Sequence, residues 1–169
     1  MNRMRTAIAL GSNLGDRLAN LVAGREAVLR IPGVLAPALH SRVYETEPVG
    51  TAPDAGAFLN AVIEIEFTGD PLALLAALRS IESALGRPTR HPRNAPRTLD
   101  LDILYAGDFV LNDDTLILPH PRLHLRRFVL APLNDIRPGL CLPGQTHAIA
   151  GLLARLDDPA TVALFAETW

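Results

Sequence analysis

The order of the apolar patterns along the chain is the feature that most constrains its fold. Strand-like runs cover four segments, residues 6–10, 34–44, 58–67 and 98–105. In the stretches after the first and third of these, apolar side chains recur at helical spacing, and the stripes end at Gly33 and Gly86. Asp70 and Pro71 are typical of a helix start. A chain with this order must bury both helical stripes against a sheet.

The sequence therefore predicts an α+β fold with a ferredoxin-like βαββαβ core and a mostly antiparallel sheet. Both helices are expected on one face of the sheet, which leaves the opposite face to hold a ligand. Additional C-terminal elements are expected as a short strand at residues 116–118 and helices at residues 126–133 and 148–156. We predict one domain over residues 1–169, and we find no functional pattern in residues 140–169.

Composition excludes several classes of protein. The single cysteine, Cys141, cannot form an internal disulfide, so an oxidising compartment is not required. The five histidines are scattered and show no zinc-ligand spacing. No signal peptide or apolar stretch of membrane-span length is evident, and the net charge is −2. We therefore expect a cytoplasmic protein that binds neither membrane nor nucleic acid.

All sixteen basic residues are arginine, and the chain has no lysine. This excludes the P-loop lysine and the strand lysine of protein kinases, so any use of ATP must follow another route. The arginines cluster in residues 87–97 and 122–127. Clusters of this kind on an acidic chain indicate a small anionic ligand, because the guanidinium fork binds phosphate through two hydrogen bonds.

Asp100 and Asp102 lie in a predicted strand, where side chains alternate between faces. Both carboxylates should therefore point away from Leu101, roughly 6.5–7 Å apart. Magnesium binds through one or two carboxylates together with substrate phosphates. A solvated polar strand face is the simpler alternative, but Arg97 and the nearby arginine cluster favour a site for a metal–nucleotide complex.

Glu82 falls on the apolar stripe of its helix, between Leu78 and Leu85. A buried carboxylate without a partner is costly. Either Glu82 reaches solvent at the edge of the stripe, or it orients an arginine or a ligand group. On the second interpretation it is a candidate for the ATP site.

Phe58 and Phe128 are either core residues or the two sides of a stacking clamp for a flat heterocycle. Asn60 lies close to Phe58 in the sequence, and its amide offers donors and an acceptor to a ring edge. His120 is either structural or a phosphate contact.

Four motifs then identify a family. They are GSNLG at residues 11–15, FLNA at 58–61, PRTLDLDI at 96–103 and LPHPR at 118–122. In order and spacing they resemble 6-hydroxymethyl-7,8-dihydropterin pyrophosphokinase, and the resemblance extends over residues 8–138. The PRTLDLD segment is highly specific, whereas a glycine turn alone is a weak signal.

The resemblance implies a ferredoxin-like enzyme of folate biosynthesis. It would transfer pyrophosphate from ATP to the hydroxymethyl group of 6-hydroxymethyl-7,8-dihydropterin, release AMP, use two Mg²⁺ ions and act as a monomer. Attack on the β-phosphorus would be in line. Asp100 and Asp102 match the metal-binding and catalytic carboxylates, and Arg87 and Arg97 match catalytic arginines that act on the phosphates. Closure of the loop at residues 87–96 would exclude water.

The resemblance also implies two binding sets. The residues that match the pterin pocket are Thr46, Val49, Phe58, Asn60 and Phe128. The residues that fall where the family contacts ATP are Arg79, Ile117, His120 and Arg126, and to these we add Arg97 and Glu82.

Two other functions remain open from the residues themselves. A two-metal nucleotidyl transferase or cyclase would also use paired aspartates on such a sheet, but it would release pyrophosphate rather than AMP. A non-catalytic ligand-binding module could share the strand order, although it would not need Asp100, Asp102 and Arg97 together.

Overall fold

The computed structural model of the chain describes residues 3–47, 56–86 and 95–169. Its strands are β1 (Met4–Ser12), β2 (Val34–His40), β3 (Val43–Thr46), β4 (Phe58–Phe67), β5 (Asp100–Ala106), β6 (Leu111–Asn112), β7 (Ile117–Leu118) and β8 (Val162–Ala166). Its α-helices are α1 (Arg17–Leu29), α2 (Pro71–Ala84), α3 (Arg127–Ile136) and α4 (Ile149–Arg155). The two helices of the predicted core and the two C-terminal helices are thus all present, with ends shifted by a few residues.

The two core helices begin at aspartates. The side chain of Asp16 accepts a hydrogen bond from the Ala19 N–H, and that of Asp70 accepts one from the Leu72 N–H. Helix α2 ends before Gly86, whose φ of +94° lies in the left-handed region that glycine enters without steric cost. The start of α2 at Asp70 and its end before Gly86 follow from local sequence, as predicted.

The main sheet has the order β5-β1-β4-β3-β8, and β2 also pairs with β4. Adjacent strands of this sheet are antiparallel, with Ile8 of β1 opposite Ile63 of β4 and Ile103 of β5. With the two helices that connect its strands, this order confirms the ferredoxin-like α+β prediction.

Two details of the sheet differ from the prediction. The single strand expected over residues 34–44 is divided at Ser41, where the hydroxyl accepts the Val62 N–H at 2.8 Å. A side-chain oxygen thus takes the place of a ladder carbonyl, and the strand is interrupted. The second difference is β8, which was not predicted and which pairs with β3.

One face of the sheet forms the main hydrophobic core with α1 and α2. Leu21 and Val28 of α1 and Leu74 and Leu78 of α2 have no exposed surface, and they pack with Ile8 of β1. Burying a side chain of this size stabilises the fold by about 1.5–3 kcal/mol. The helical stripes read from the sequence are therefore the core-facing stripes.

The opposite face was expected to be free, and this is wrong for part of it. Helices α3 and α4 cover that part with a second apolar cluster, which includes Val62, Val129 and Leu133. Glu64 is also buried there and accepts hydrogen bonds from the Tyr105 hydroxyl and the Arg137 guanidinium. Burial and the Glu64 contact raise the pKa of Tyr105 above its usual value. The C-terminal helices cover this part because their own apolar sides need burial.

Within the described ranges, none of the helices combines the length and the apolar character that a membrane crossing requires.

Candidate active site

The part of this second face that α3 and α4 leave uncovered forms a cavity of about 620 Å³. This volume is within the range of about 300–1,000 Å³ that is usual for small-molecule sites. Nine of the predicted site residues line it, namely Thr46, Phe58, Asn60, Arg97, Asp100, Asp102, His120, Arg126 and Phe128. Residues from β3, β4, β5 and the start of α3 therefore meet at one place.

The two aspartates of β5 both reach the cavity because side chains alternate between the two faces of a strand. Leu101 and Ile103 are 4% and 2% exposed in the core, while Asp100 and Asp102 line the cavity on the other side of the sheet. The strand is held at this point from the helix side. The Glu82 carboxylate accepts the Leu101 N–H at 2.7 Å, so a buried helix residue fixes the peptide between the two aspartates.

Arg97 is positioned by the glycine-containing turn after β1. Its backbone N–H donates to the Asn13 side-chain oxygen at 2.8 Å, and the Asn13 N–H donates to the Arg97 carbonyl at 3.2 Å. The guanidinium of Arg97 donates to Asp100 at 3.3 Å and lies 5.8 Å from the centre of the Phe58 ring. Arg97 thus joins the carboxylate side of the cavity to its aromatic side.

The sheet side of the cavity presents an amide next to a glycine. Asn60 donates through Nδ2 to the Thr46 hydroxyl at 2.6 Å. A Cβ at Gly11 would lie 3.3 Å from Asn60 Oδ1 and 3.9 Å from the Phe58 ring. Glycine at this position therefore leaves room for both side chains, and a larger residue would displace them.

The start of α3 and the segment before it form a positively charged side. The Arg126 guanidinium lies 5.5 Å from the Phe128 ring centre, so each of the two predicted clamp aromatics has an arginine above it. Burial and then the charge of Arg122 lower the pKa of Arg126.

His120 lies on this side, and an ordinary histidine has a pKa near neutrality. Burial, followed by the charges of Arg126 and Arg122, lowers the pKa of His120 to about 4. At neutral pH the ring is therefore uncharged. Its Nδ1 accepts the Arg122 N–H at 3.1 Å, so the proton resides on Nε2, which makes that atom a hydrogen-bond donor.

Three predicted residues that the structure describes are not placed in this cavity. Arg79 is exposed on α2, Ile117 is 40% exposed on β7, and Glu82 is buried beneath the strand rather than in the cavity wall. Their contact with ATP stays a prediction. Val49 and Arg87 lie outside the described residues. So do most residues of the 87–96 segment, for which a loop closure was predicted.

Several residues of the site were missed from the sequence. Asn13 was read only as part of a turn, although asparagine in a glycine-containing turn commonly bonds neighbouring backbone. Arg122 was noted as part of a basic cluster but was given no role. Asp158 and Ala160 also line the cavity, and no local pattern indicated that the C-terminal segment returns there.

The cavity combines paired carboxylates, arginines and two aromatic rings on an antiparallel sheet. This combination suits an enzyme that handles a phosphorylated ligand beside a flat ring. The family model described as 7,8-dihydro-6-hydroxymethylpterin-pyrophosphokinase matches residues 7–138. The chain belongs to this family and is therefore a pyrophosphokinase, which confirms the prediction from the motifs.

Individual relatives support the assignment. A 2-amino-4-hydroxy-6-hydroxymethyldihydropteridine pyrophosphokinase of Methylorubrum extorquens is 40% identical over 153 residues, which cover 90% of this chain and 94% of that protein. The enzyme of the same name from Bacillus subtilis is 46% identical over 131 residues, 76% of this chain and 75% of that one.

The fold has solved counterparts. A crystal structure of an HPPK-DHPS protein in complex with substrates matches with a TM-score of 0.73 at 14% identity. The match covers 91% of this chain and 43% of that one, so the present chain spans less than half of the fused protein. At this identity the likeness concerns the fold alone.

Proposed function

We propose that the cavity binds ATP and 6-hydroxymethyl-7,8-dihydropterin side by side and performs the pyrophosphoryl transfer of the family within one chain. The observation that carries this proposal is the meeting of Asp100, Asp102 and Arg97 with the predicted pterin residues in a single cavity. We also propose that the protein acts as a monomer, as the family resemblance implies. A cytoplasmic location, where folate precursors and ATP are both available, fits the same function.

The pterin is assigned to the aromatic side. Its flat ring would stack between Phe58 and Phe128, and stacked aromatic pairs contribute about 0.5–1.5 kcal/mol beyond the area they bury. Asn60 would read the ring edge through its amide, with its orientation held by Thr46. Burial of these groups gives selectivity because an analogue without matching polar atoms would leave the Asn60 amide unsatisfied.

The triphosphate is assigned to the charged side. Arg97 and Arg126 would neutralise its oxygens, and the neutral His120 would donate from Nε2. Since Arg97 already reaches both Asp100 and the Phe58 ring, it is suited to hold the phosphates next to the pterin arm. Positioning of this kind can supply most of the rate in phosphoryl transfer.

The donor set fits magnesium. Asp100 and Asp102 present carboxylate oxygens on one side of a strand that Glu82 holds in place, and such oxygens are the ligands that magnesium prefers. These two aspartates would hold two Mg²⁺ ions, which when bound would neutralise charge on the triphosphate.

The reaction forms one bond and breaks another. The hydroxymethyl oxygen of the pterin attacks the β-phosphorus and releases its proton to solvent. The bond between the β-phosphorus and the oxygen that bridges to the α-phosphorus breaks, and AMP leaves with that oxygen. The cavity side chains bind and orient both partners and limit the access of water to the β-phosphorus.

Product analysis tests this function. We expect purified protein with ATP, magnesium and the pterin to yield AMP and a pyrophosphorylated pterin in equal amounts, as seen by ³¹P NMR. Release of inorganic pyrophosphate with transfer of AMP would instead support the nucleotidyl transferase alternative. Binding of both ligands without any product would support the non-catalytic module.

A further inference from the structure

The segment that follows α4 returns to the start of α3, far away in the sequence. The first N–H groups of a helix lack partners within the helix. At the N-cap position of α3, Arg126 provides no side-chain acceptor. The acceptor comes from Asp158, whose Oδ2 receives the Arg127 N–H at 3.0 Å. A carboxylate at this end is also favoured by the helix dipole.

The contact is reinforced on both sides. The second carboxylate oxygen of Asp158 accepts the Ala160 N–H at 2.9 Å, which fixes the orientation of the carboxylate. The Arg127 guanidinium donates to the Leu156 carbonyl at 2.9 Å. Leu156, before Asp158, is therefore bound to the start of α3, and Ala160, after it, is bound to Asp158 itself.

The rest of the C-terminal segment is anchored to the sheet. Val162 of β8 pairs with Thr46 of β3. The Trp169 indole donates to the Ser41 carbonyl at 2.8 Å, and the Arg25 guanidinium stacks on the indole 4.9 Å from its ring centre. Asp158 is thus held between α4 and an anchored strand, so it can restrain α3 rather than follow it.

The restrained turn is the one that carries the ligand-binding side chains. Arg126 and Phe128 flank Arg127, and both line the cavity together with Asp158. Displacement of this turn would therefore move one side of the proposed aromatic clamp and one of the phosphate-binding arginines.

We propose that Asp158 is a positioning residue for substrate binding. It caps α3 from a distance and thereby sets Phe128 against the pterin ring. The inference rests on the proposed function for the identity of the ligand, and it assigns a role to the C-terminal segment beyond residue 138, where the family match ends. Without the cap, the first turn of α3 must be ordered by the substrate, so affinity falls while the chemical step is largely retained.

The test compares Asp158→Ala with Asp158→Asn and with Asp157→Ala. Alanine removes both acceptors, and asparagine keeps one oxygen for the Arg127 N–H but loses the second contact, with the Ala160 N–H. Asp157 is the adjacent exposed aspartate that controls for loss of charge. The readouts are the dissociation constant of 6-hydroxymethyl-7,8-dihydropterin, measured by its fluorescence, together with KM, kcat and Tm.

We expect Asp158→Ala to weaken pterin binding about tenfold, the effect of losing one helix cap, with a kcat within about threefold of the wild type. Asp158→Asn should lose less affinity than Asp158→Ala, and Asp157→Ala should bind like the wild type. Unchanged pterin affinity in folded Asp158→Ala would overturn the inference, and so would an equal loss in Asp158→Asn.

If Asp158→Ala does not fold, Asp158→Glu carries the test. Its longer side chain displaces the cap and should also weaken pterin binding, whereas wild-type affinity would overturn the inference. Wild-type protein that binds pterin but forms no AMP would refute the proposed reaction, and the affinity comparison would still decide the role of Asp158.

Discussion

The two faces of the central sheet differ in what covers them. Toward α1 and α2 the face is closed by side chains such as Leu74 and Leu78 with no exposed surface. Toward α3 and α4 it is covered only in part, and the uncovered part holds the polar cavity. Strand β5 contributes to both faces because its side chains alternate. The core face thus contributes mainly to stability and the cavity face to catalysis. Substitutions on the core face should therefore change the free energy of unfolding, and substitutions on the cavity face should change the kinetic constants.

The largest effect is expected for Asp102→Ala on the cavity face. Removal of one proposed metal carboxylate should lower kcat by about 10²–10⁴, since a metal ion contributes several kcal/mol to charge stabilisation. The Tm should change little, because the residue lies outside the core. Steady-state assays at saturating magnesium measure this, and the exposed Asp108→Ala controls for loss of charge. Retained turnover in Asp102→Ala would remove this carboxylate from the mechanism.

The matching substitution on the core face is Leu78→Ala. A fully buried leucine replaced by alanine should lower the free energy of unfolding by about 2–5 kcal/mol. The KM for both substrates should stay at the wild-type value below the unfolding transition. Urea unfolding measures the first quantity, with Leu72→Ala, 39% exposed on the same helix, as the control. A large change in KM with little loss of stability would mean that the two faces are not separate.

Asn60→Ala tests the ligand assignment within the cavity. Loss of the amide should raise the KM for the pterin by about 10–100-fold, since a buried polar match is worth about 1–3 kcal/mol, and should leave the KM for ATP nearly unchanged. Kinetics with each substrate varied in turn separate the two constants. Asn112→Ala, an exposed asparagine on β6, provides the control. An effect on ATP alone would reverse the assignment of the two sides.

Glu82 should affect both stability and catalysis, because it lies on the core side and binds the strand that carries both aspartates. Glu82→Ala leaves the Leu101 N–H without this acceptor and should cost about 1–3 kcal/mol of stability while also lowering kcat. Glu82→Gln keeps an acceptor and should be milder in both respects. Unfolding and kinetic measurements on the two variants are needed together. Stability lost with full kcat would limit Glu82 to a structural role.

The smallest effect concerns His120 and pH. In the folded chain its pKa is lowered to about 4, against 6.5 for the ordinary group. The unfolded chain therefore takes up a proton first as pH falls. Stability associated with His120 is present above about pH 6.5 and is lost as pH falls toward about 4. Compared with His120→Gln, the wild type should lose more free energy of unfolding between pH 7.5 and pH 5, on the order of 1 kcal/mol or more. Parallel losses in both proteins would show that His120 does not titrate in this way.

A structural feature could be predicted from the sequence where the residues that cause it are neighbours in the chain. The capping of α2 by Asp70 and the alternation of Asp100, Leu101 and Asp102 depend on neighbours in the chain, so they could be predicted. The specific order of the PRTLDLD motif also allowed the family to be identified.

The features that sequence reasoning missed depend on distant partners. The division of the second strand at Ser41 depends on Val62, and the capping of α3 by Asp158 joins residues 31 apart. Strand β8 forms because its partner β3 has an open edge, not because of a strong pattern of its own. Only the assembled fold brings such pairs together.

The most direct test of the account is a crystal structure of the chain with magnesium, the pterin and α,β-methylene-ATP, whose P–C–P linkage blocks the cleavage. We expect a pterin ring between Phe58 and Phe128 with its edge at Asn60. Its hydroxymethyl oxygen should face the β-phosphorus, and metal ions should lie on Asp100 and Asp102. A pterin bound outside this cavity, or a nucleotide that presents its α-phosphorus to the hydroxymethyl group, would contradict the account.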